Sequence, residues 1–182
     1  MSFMRFLGGR QAAGLPIPQP TPTDTETEAV RNIVARLESL APDKARLLAG
    51  MAYVLARAAN ADMVITDLET QTMESVLVEY GLDQSQAVLV AEMAKLQERT
   101  AGGTTDYLVT RDFREASTPD QRLMLLRACF EVTAADGAIT ALESATLDEI
   151  ANELDIERAQ ATAVRAQYAD SFTARLNYRP KE

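Results

Sequence analysis

The chain has 182 residues, 47 % of them hydrophobic and 25 % charged, with a net charge of −9, no His, no Trp and one Cys. It is long enough for a packed core. Without His the commonest general base and the commonest transition-metal ligand are missing, which argues against zinc sites and triad hydrolases; a single Cys129 excludes an intrachain disulfide. Few aromatics and abundant Ala favour close-packed helices over a β-sandwich, so the expected class is all-α.

Residues 1–7, Met-Ser-Phe-Met-Arg-Phe-Leu, are too short for a signal-peptide core. Two readings of residues 1–10 stand side by side: a frayed terminus, or a weak interfacial foot with Phe3, Met4, Phe6 and Leu7 in the membrane surface and Arg5 and Arg10 towards head groups. Pro16, Pro18, Pro20 and Pro22 follow at every second position, so residues 1–24 read as an extended N-terminal segment.

From Thr25 the pattern becomes helical. Thr25 and Glu28 make a capping box, and Val30, Ile33, Val34 and Leu37 form a stripe that ends before Pro42. A second helix runs from Asp43 to about Ala59, apolar over more than half its circumference and therefore central. After a turn at 62–65, Thr66 and Glu69 start a third helix that Gly81 stops. The next begins at Asp83, with Val88, Leu89, Met93 and Leu96 expected inside, and finishes before Thr100-Ala101-Gly102-Gly103. A short helix over about 105–115 leads to Pro119, which opens another containing Leu123, Leu126, Cys129, Phe130 and Val132. A turn at 136–139, a helix capped by Thr140 and a last helix over about 157–168 complete the set, and residues 171–182 form a basic tail with Arg175, Arg179 and Lys181.

Two stretches repeat at an offset of 74 residues: Asp62 aligns with Asp136, Ile65 with Ile139, Thr66 with Thr140 and Glu69 with Glu143. Met73 with Leu147, Val76 with Ile150 and Leu82 with Ile156 extend the match. The expectation is about eight helices in two pseudo-symmetric repeats, roughly 43–99 and 117–170, packed around one core spanning 25–170. If the two turns lie side by side, a single β-bridge between Ile65 and Ile139 is allowed.

The repeats carry the acidic charge. Seven acids and no base lie between Arg57 and Lys95, and eight acids and no base between Arg127 and Arg158, of 27 acids in the chain. Phosphate would be repelled, so nucleic acid is not an expected partner; cations and basic protein surfaces are. No run of 18 apolar residues is present, so no membrane span is expected.

Asp136-Gly137-x-Ile139-x-x-x-Glu143 copies the second half of an EF-hand loop. Its first half fails, since the first and third loop positions fall on Val132 and Ala134, and in the earlier copy on Ala58 and Asn60. A calcium-loaded EF-hand is therefore not expected. One account needs no ligand: Glu69 and Glu143 close capping boxes with Thr66 and Thr140, Asp62 and Asp136 satisfy turn N–H groups, and Gly137 allows a positive φ. Met63, standing where the second copy has Gly137, suggests a somewhat different first turn. The other account brings Asp62, Asp67, Glu69, Asp136 and Glu143 into a shared carboxylate cluster suited to Ca²⁺, Mg²⁺ or Mn²⁺. No catalytic residues are expected, and no cofactor beyond such a cation.

Two copies of a helix ending in Ala-x-Asp-Gly-x-Ile-x-x-x-Glu, followed by a helix with apolar residues matching Leu147, Ile150 and Leu154, resemble the TerB family of tellurite-resistance operons. They are also similar to the N-terminal domain of a membrane-anchored DnaJ-type co-chaperone. The resemblance covers about residues 28–170 and is best over 122–156. It implies an all-helical bacterial protein linked to chemical stress, with metal binding by acidic loops proposed for the family and no catalytic residue set. The function expected is a non-catalytic cytoplasmic module, at most peripheral to the inner membrane, that meets a divalent cation or a basic protein partner through its acidic loop face. The alternative is a metal-free helical scaffold.

Overall fold

The computed structural model describes residues 24–100 and 103–172. The expected N-terminal foot, the proline segment, Ala101-Gly102 of the turn and the tail from residue 173 lie outside them. Among the described residues there are eight α-helices and no strand: α1 Asp24–Glu38, α2 Pro42–Ala59, α3 Asp67–Glu79, α4 Gln84–Thr100, α5 Gly103–Ala116, α6 Pro119–Thr133, α7 Ala141–Glu153 and α8 Arg158–Gln167. The all-α expectation holds.

The fold is built on α2. Pro42 occupies its first turn, where a missing N–H is harmless, and every residue from Met51 to Ala59 is buried. Helix α2 touches α3, α4, α5, α6 and α7. Ala45, Ala49, Ala52, Ala56, Ala58 and Ala59 keep its surface low enough for close approach from several sides. Leu48, Met51, Val54 and Leu55 fill the space between, each contributing about 1.5–3 kcal/mol by its removal from water. One apolar cluster takes in residues from all eight helices, from Leu37 of α1 to Val164 of α8.

Polar contacts tie α5 to α2. The Tyr53 hydroxyl donates to Asp106 Oδ1 at 2.7 Å, Arg46 Nε donates to Asp112 Oδ2 at 2.8 Å, and Arg57 Nη1 donates to Thr110 Oγ1 at 3.1 Å. Burial, with help from Asp106, pushes the Tyr53 phenol above its ordinary range.

Three local expectations are corrected. First, α4 turns its small residues inward: Ala87, Val90, Ala91 and Ala94 are buried, whereas Val88 and Leu96 are exposed and Leu89 and Met93 are half-buried. Close packing on α2 and α3 selected the alanine face over the bulkier one. Second, α1 begins at Asp24, one residue before the expected Thr25. Third, Ile139 bridges in parallel to Phe172, not to Ile65, and its N–H donates to Ser171 O at 2.6 Å. The segment after α8 runs back along the second turn. Arg165 lies over the Phe172 ring at 4.4 Å and Tyr168 stacks on Phe130 at 5.4 Å, which together hold it there.

Candidate functional site

The two acidic turns are the same structure made twice. In the first, Met63 N–H donates to Asn60 O at 2.9 Å and Val64 N–H donates to Asp62 Oδ1 at 3.1 Å. In the second, Gly137 N–H donates to Ala134 O at 2.9 Å and Ala138 N–H donates to Asp136 Oδ1 at 3.0 Å. Gly137 has φ 94° and Met63 has φ 69°. The first turn therefore does not differ as its Met suggested. Both Asp carboxylates bond the N–H two residues on, and a cap follows at once, so the backbone is fixed tightly enough to hold a non-glycine residue in the left-handed region. The Met63 side chain is 83 % exposed and meets no packing conflict there.

Each turn delivers a threonine to the start of a helix. Glu69 N–H donates to Thr66 Oγ1 at 3.2 Å, and Thr66 N–H donates back to Glu69 Oε2 at 2.7 Å. Thr140 and Glu143 repeat both bonds at the same two distances. These are capping boxes at the heads of α3 and α7. A third, Thr118 with Gln121 at the head of α6, is present as well. Its Thr-x-x-Gln signal stands in the sequence, where Pro119 alone drew notice.

Capping glutamates usually sit at the surface; these are 2 % and 3 % exposed. They also lie near enough for the charge of Glu69 to act on Glu143. Desolvation raises the affinity of both for protons, Glu143 to about 7, while the cap bonds from Thr66 and Thr140 pull the other way. The charge of Asp136 further raises Glu69, and those of Glu69 and Asp62 raise Glu143.

Of the five carboxylates expected to gather, the structure buries Glu69 and Glu143, sets them, Asp62 and Asp136 close enough to act on one another, and leaves Asp67 exposed in the first turn of α3. Among the described residues, no three or more His, Cys, Asp or Glu side chains are grouped to hold a metal ion. What surrounds the pair is instead partly apolar. Met63, Val64, Leu68 and Leu142 are each more than half exposed, and all four belong to the two turns or to the first helical turns after them.

Sequence reading missed a second polar centre. Arg57 is buried in α2 and donates to Glu153 Oε2 at 2.6 Å and Glu149 Oε2 at 3.2 Å, both on α7. Its signal was faint, an Arg within the most apolar stretch of α2. Cys129 is fully buried, and desolvation pushes its thiol up to about 12, so no thiolate nucleophile is presented.

An all-helical bundle organised around two threonine-capped acidic turns, with no strand among the described residues, is the class these features define. The family model for the tellurite resistance protein TerB matches residues 48–166, from within α2 to within α8, and the chain belongs to that family. Comparison with curated proteins and with solved structures gives no match. No helix among the described residues is long and apolar enough to cross a membrane.

Proposed function

We propose that this TerB-family chain is a non-catalytic module of the bacterial response to tellurite and related chemical stress, and that its acidic loop face docks a basic, amphipathic segment of a protein partner in the cytoplasm. The stress assignment rests on the family, whose domains are generally non-catalytic. The docking assignment rests on one observation. Exposed Met63, Val64, Leu68 and Leu142 stand with Asp62, Asp67 and Asp136 on two turns near enough for Asp136 to act on Glu69 and Asp62 on Glu143. Apolar side chains supply burial, and the carboxylates select a basic partner and steer its approach.

The test is calorimetric titration with a synthetic helical Lys/Leu peptide and with its Glu/Leu counterpart. The Lys/Leu peptide should bind, more weakly at high salt. Asp62→Asn/Asp136→Asn should weaken binding and reduce its salt dependence, and Leu68→Ser/Leu142→Ser should weaken it without changing that dependence. Equal binding of both peptides, or binding that survives both variants, overturns the reading.

A further inference from the structure

We propose that residues 173–182 of this chain are the first occupant of its own acidic loop face: led out beside the second turn, they cover the exposed apolar side chains there, and a partner gains the face only by displacing them. This occupancy rests on the reading of the loop face as a docking surface and adds what governs access to it.

The chain is already fixed at that face where the tail begins. Phe172 bridges Ile139, the Ile139 N–H donates to Ser171 O at 2.6 Å, and Arg165 lies over the Phe172 ring at 4.4 Å. The bridge is parallel, so the chain leaves Phe172 in the direction in which Ile139 leads to Thr140 and to Leu142, 58 % exposed at the head of α7. At about 3.3 Å per residue, residues 173–182 reach up to about 33 Å. That is ample to cross from the second turn to the first, whose Asp62 is near enough to act on Glu143.

The chemistry of these residues matches the face. Arg175, Arg179 and Lys181 stand against one acid, Glu182. Leu176, Tyr178 and Pro180 alternate with polar residues, so an extended chain lays them along one side. That side suits the exposed Met63, Val64, Leu68 and Leu142, and the long basic side chains can reach round to carboxylates at the rim. Those carboxylates are open to them: among the described residues no ion pair holds Asp62, Asp67 or Asp136.

Tethering turns a weak contact into an occupied one. A short flexible link gives an effective concentration in the millimolar range, so a millimolar intrinsic affinity already covers the face in about half of the molecules. Freeing the face should then strengthen a competitor by the inverse of the fraction left open, about two- to tenfold. The same tether favours the chain's own face over that of a second copy, which is met only at its bulk concentration.

The experiment uses the full chain with a nitroxide on Glu182→Cys; Cys129 is fully buried and takes none. Leu176→Ser/Tyr178→Ser, which leaves every charge in place, is the releasing variant. Amides of Met63 to Leu68 and Ala138 to Leu142 should broaden in the parent chain and lose most of that broadening in the double variant. In calorimetry the synthetic Lys/Leu peptide should bind the double variant about two- to tenfold more tightly than the parent. Equal broadening with and without Leu176 and Tyr178, or equal peptide binding by both chains, overturns the occupancy. Broadening between a nitroxide-bearing copy and a separate isotope-labelled one means that the tail serves a second copy, and overturns the intramolecular form. A peptide that binds neither chain, with the broadening and its loss intact, overturns the partner reading and supports the tail as the occupant.

Discussion

Arg57 and Glu153, 96 residues apart, meet at 2.6 Å between the central helix and α7, with the Arg side chain 8 % and the Glu side chain 17 % exposed. Desolvation alone would weaken the hold of Arg57 on its proton; the hydrogen bond and charge of Glu153 outweigh it, and the group is raised from its ordinary value. Such a pair is expensive to break from one side and cheap to replace as a whole.

Replacing Arg57 by Met should therefore cost about 3–5 kcal/mol, because Glu153 is left half of a buried pair. Arg57→Met/Glu153→Met should recover most of that loss. A double-mutant cycle by urea unfolding measures the coupling. Equal losses for the single and double variants would show that Arg57 matters through its packing instead.

Met63 and Gly137 allow strain to be separated from crowding. A Cβ at Gly137 would meet nothing within 4 Å, yet its φ of 94° is one that side chains disfavour. Gly137→Ala should therefore destabilise by about 1 kcal/mol through the backbone alone. In the first turn the change runs in reverse. Met63→Gly relieves the left-handed strain but gives the unfolded chain more freedom, so a gain of up to about 1 kcal/mol is expected, and β-branched Met63→Val should lose about 1–2 kcal/mol. Thermal unfolding of the three variants checks the order.

The legible part of this protein was what short-range chemistry writes down. Capping boxes at Thr66 and Thr140, the proline at the head of α6 and the glycine after α3 each have a local signature, and each appears where its signature stands. Burial on α4 was not legible. Its Ala and Leu faces are both apolar, and the choice between them depended on how near α2 could come. Likewise, the pairing of Ile139 with Phe172 is a long-range contact with no local mark. For the site, the sequence pointed to five carboxylates, of which Asp67 stands exposed in the first turn of α3. That Glu69 and Glu143 would both be buried depends on how the helices pack, which spacing along the chain does not record.

Cys129 offers a direct read-out of global opening. Its thiol is fully buried and, with its affinity for the proton pushed up to about 12, remains protonated at pH 8. A disulfide reagent such as Ellman's should leave the folded chain unlabelled at pH 8 and titrate one thiol per chain in urea. Partial reaction without denaturant would show that α6 opens locally. The pH profile of the labelling rate then distinguishes local opening from complete unfolding.

The three capping boxes should not be worth the same. At Thr118 the hydroxyl accepts from Gln121 N–H at an exposed site, where water replaces a lost bond, and Thr118→Ala should cost about 0.5–1 kcal/mol. At Thr66 and Thr140 the side chain supports a glutamate that is itself buried. Thr66 does more than cap, since its hydroxyl also lies 2.9 Å from Glu69 Oε2. Removing either hydroxyl withdraws one of the few groups holding a carboxyl in a dry place, so Thr66→Ala and Thr140→Ala should each cost about 1–2 kcal/mol. Because the charge of Glu69 acts on Glu143, the Thr66→Ala/Thr140→Ala variant should lose less or more than the sum of the singles, whereas Thr118→Ala should add simply to either. Urea unfolding of the singles and doubles decides it: strict additivity between Thr66 and Thr140 would mean that the turns are energetically independent.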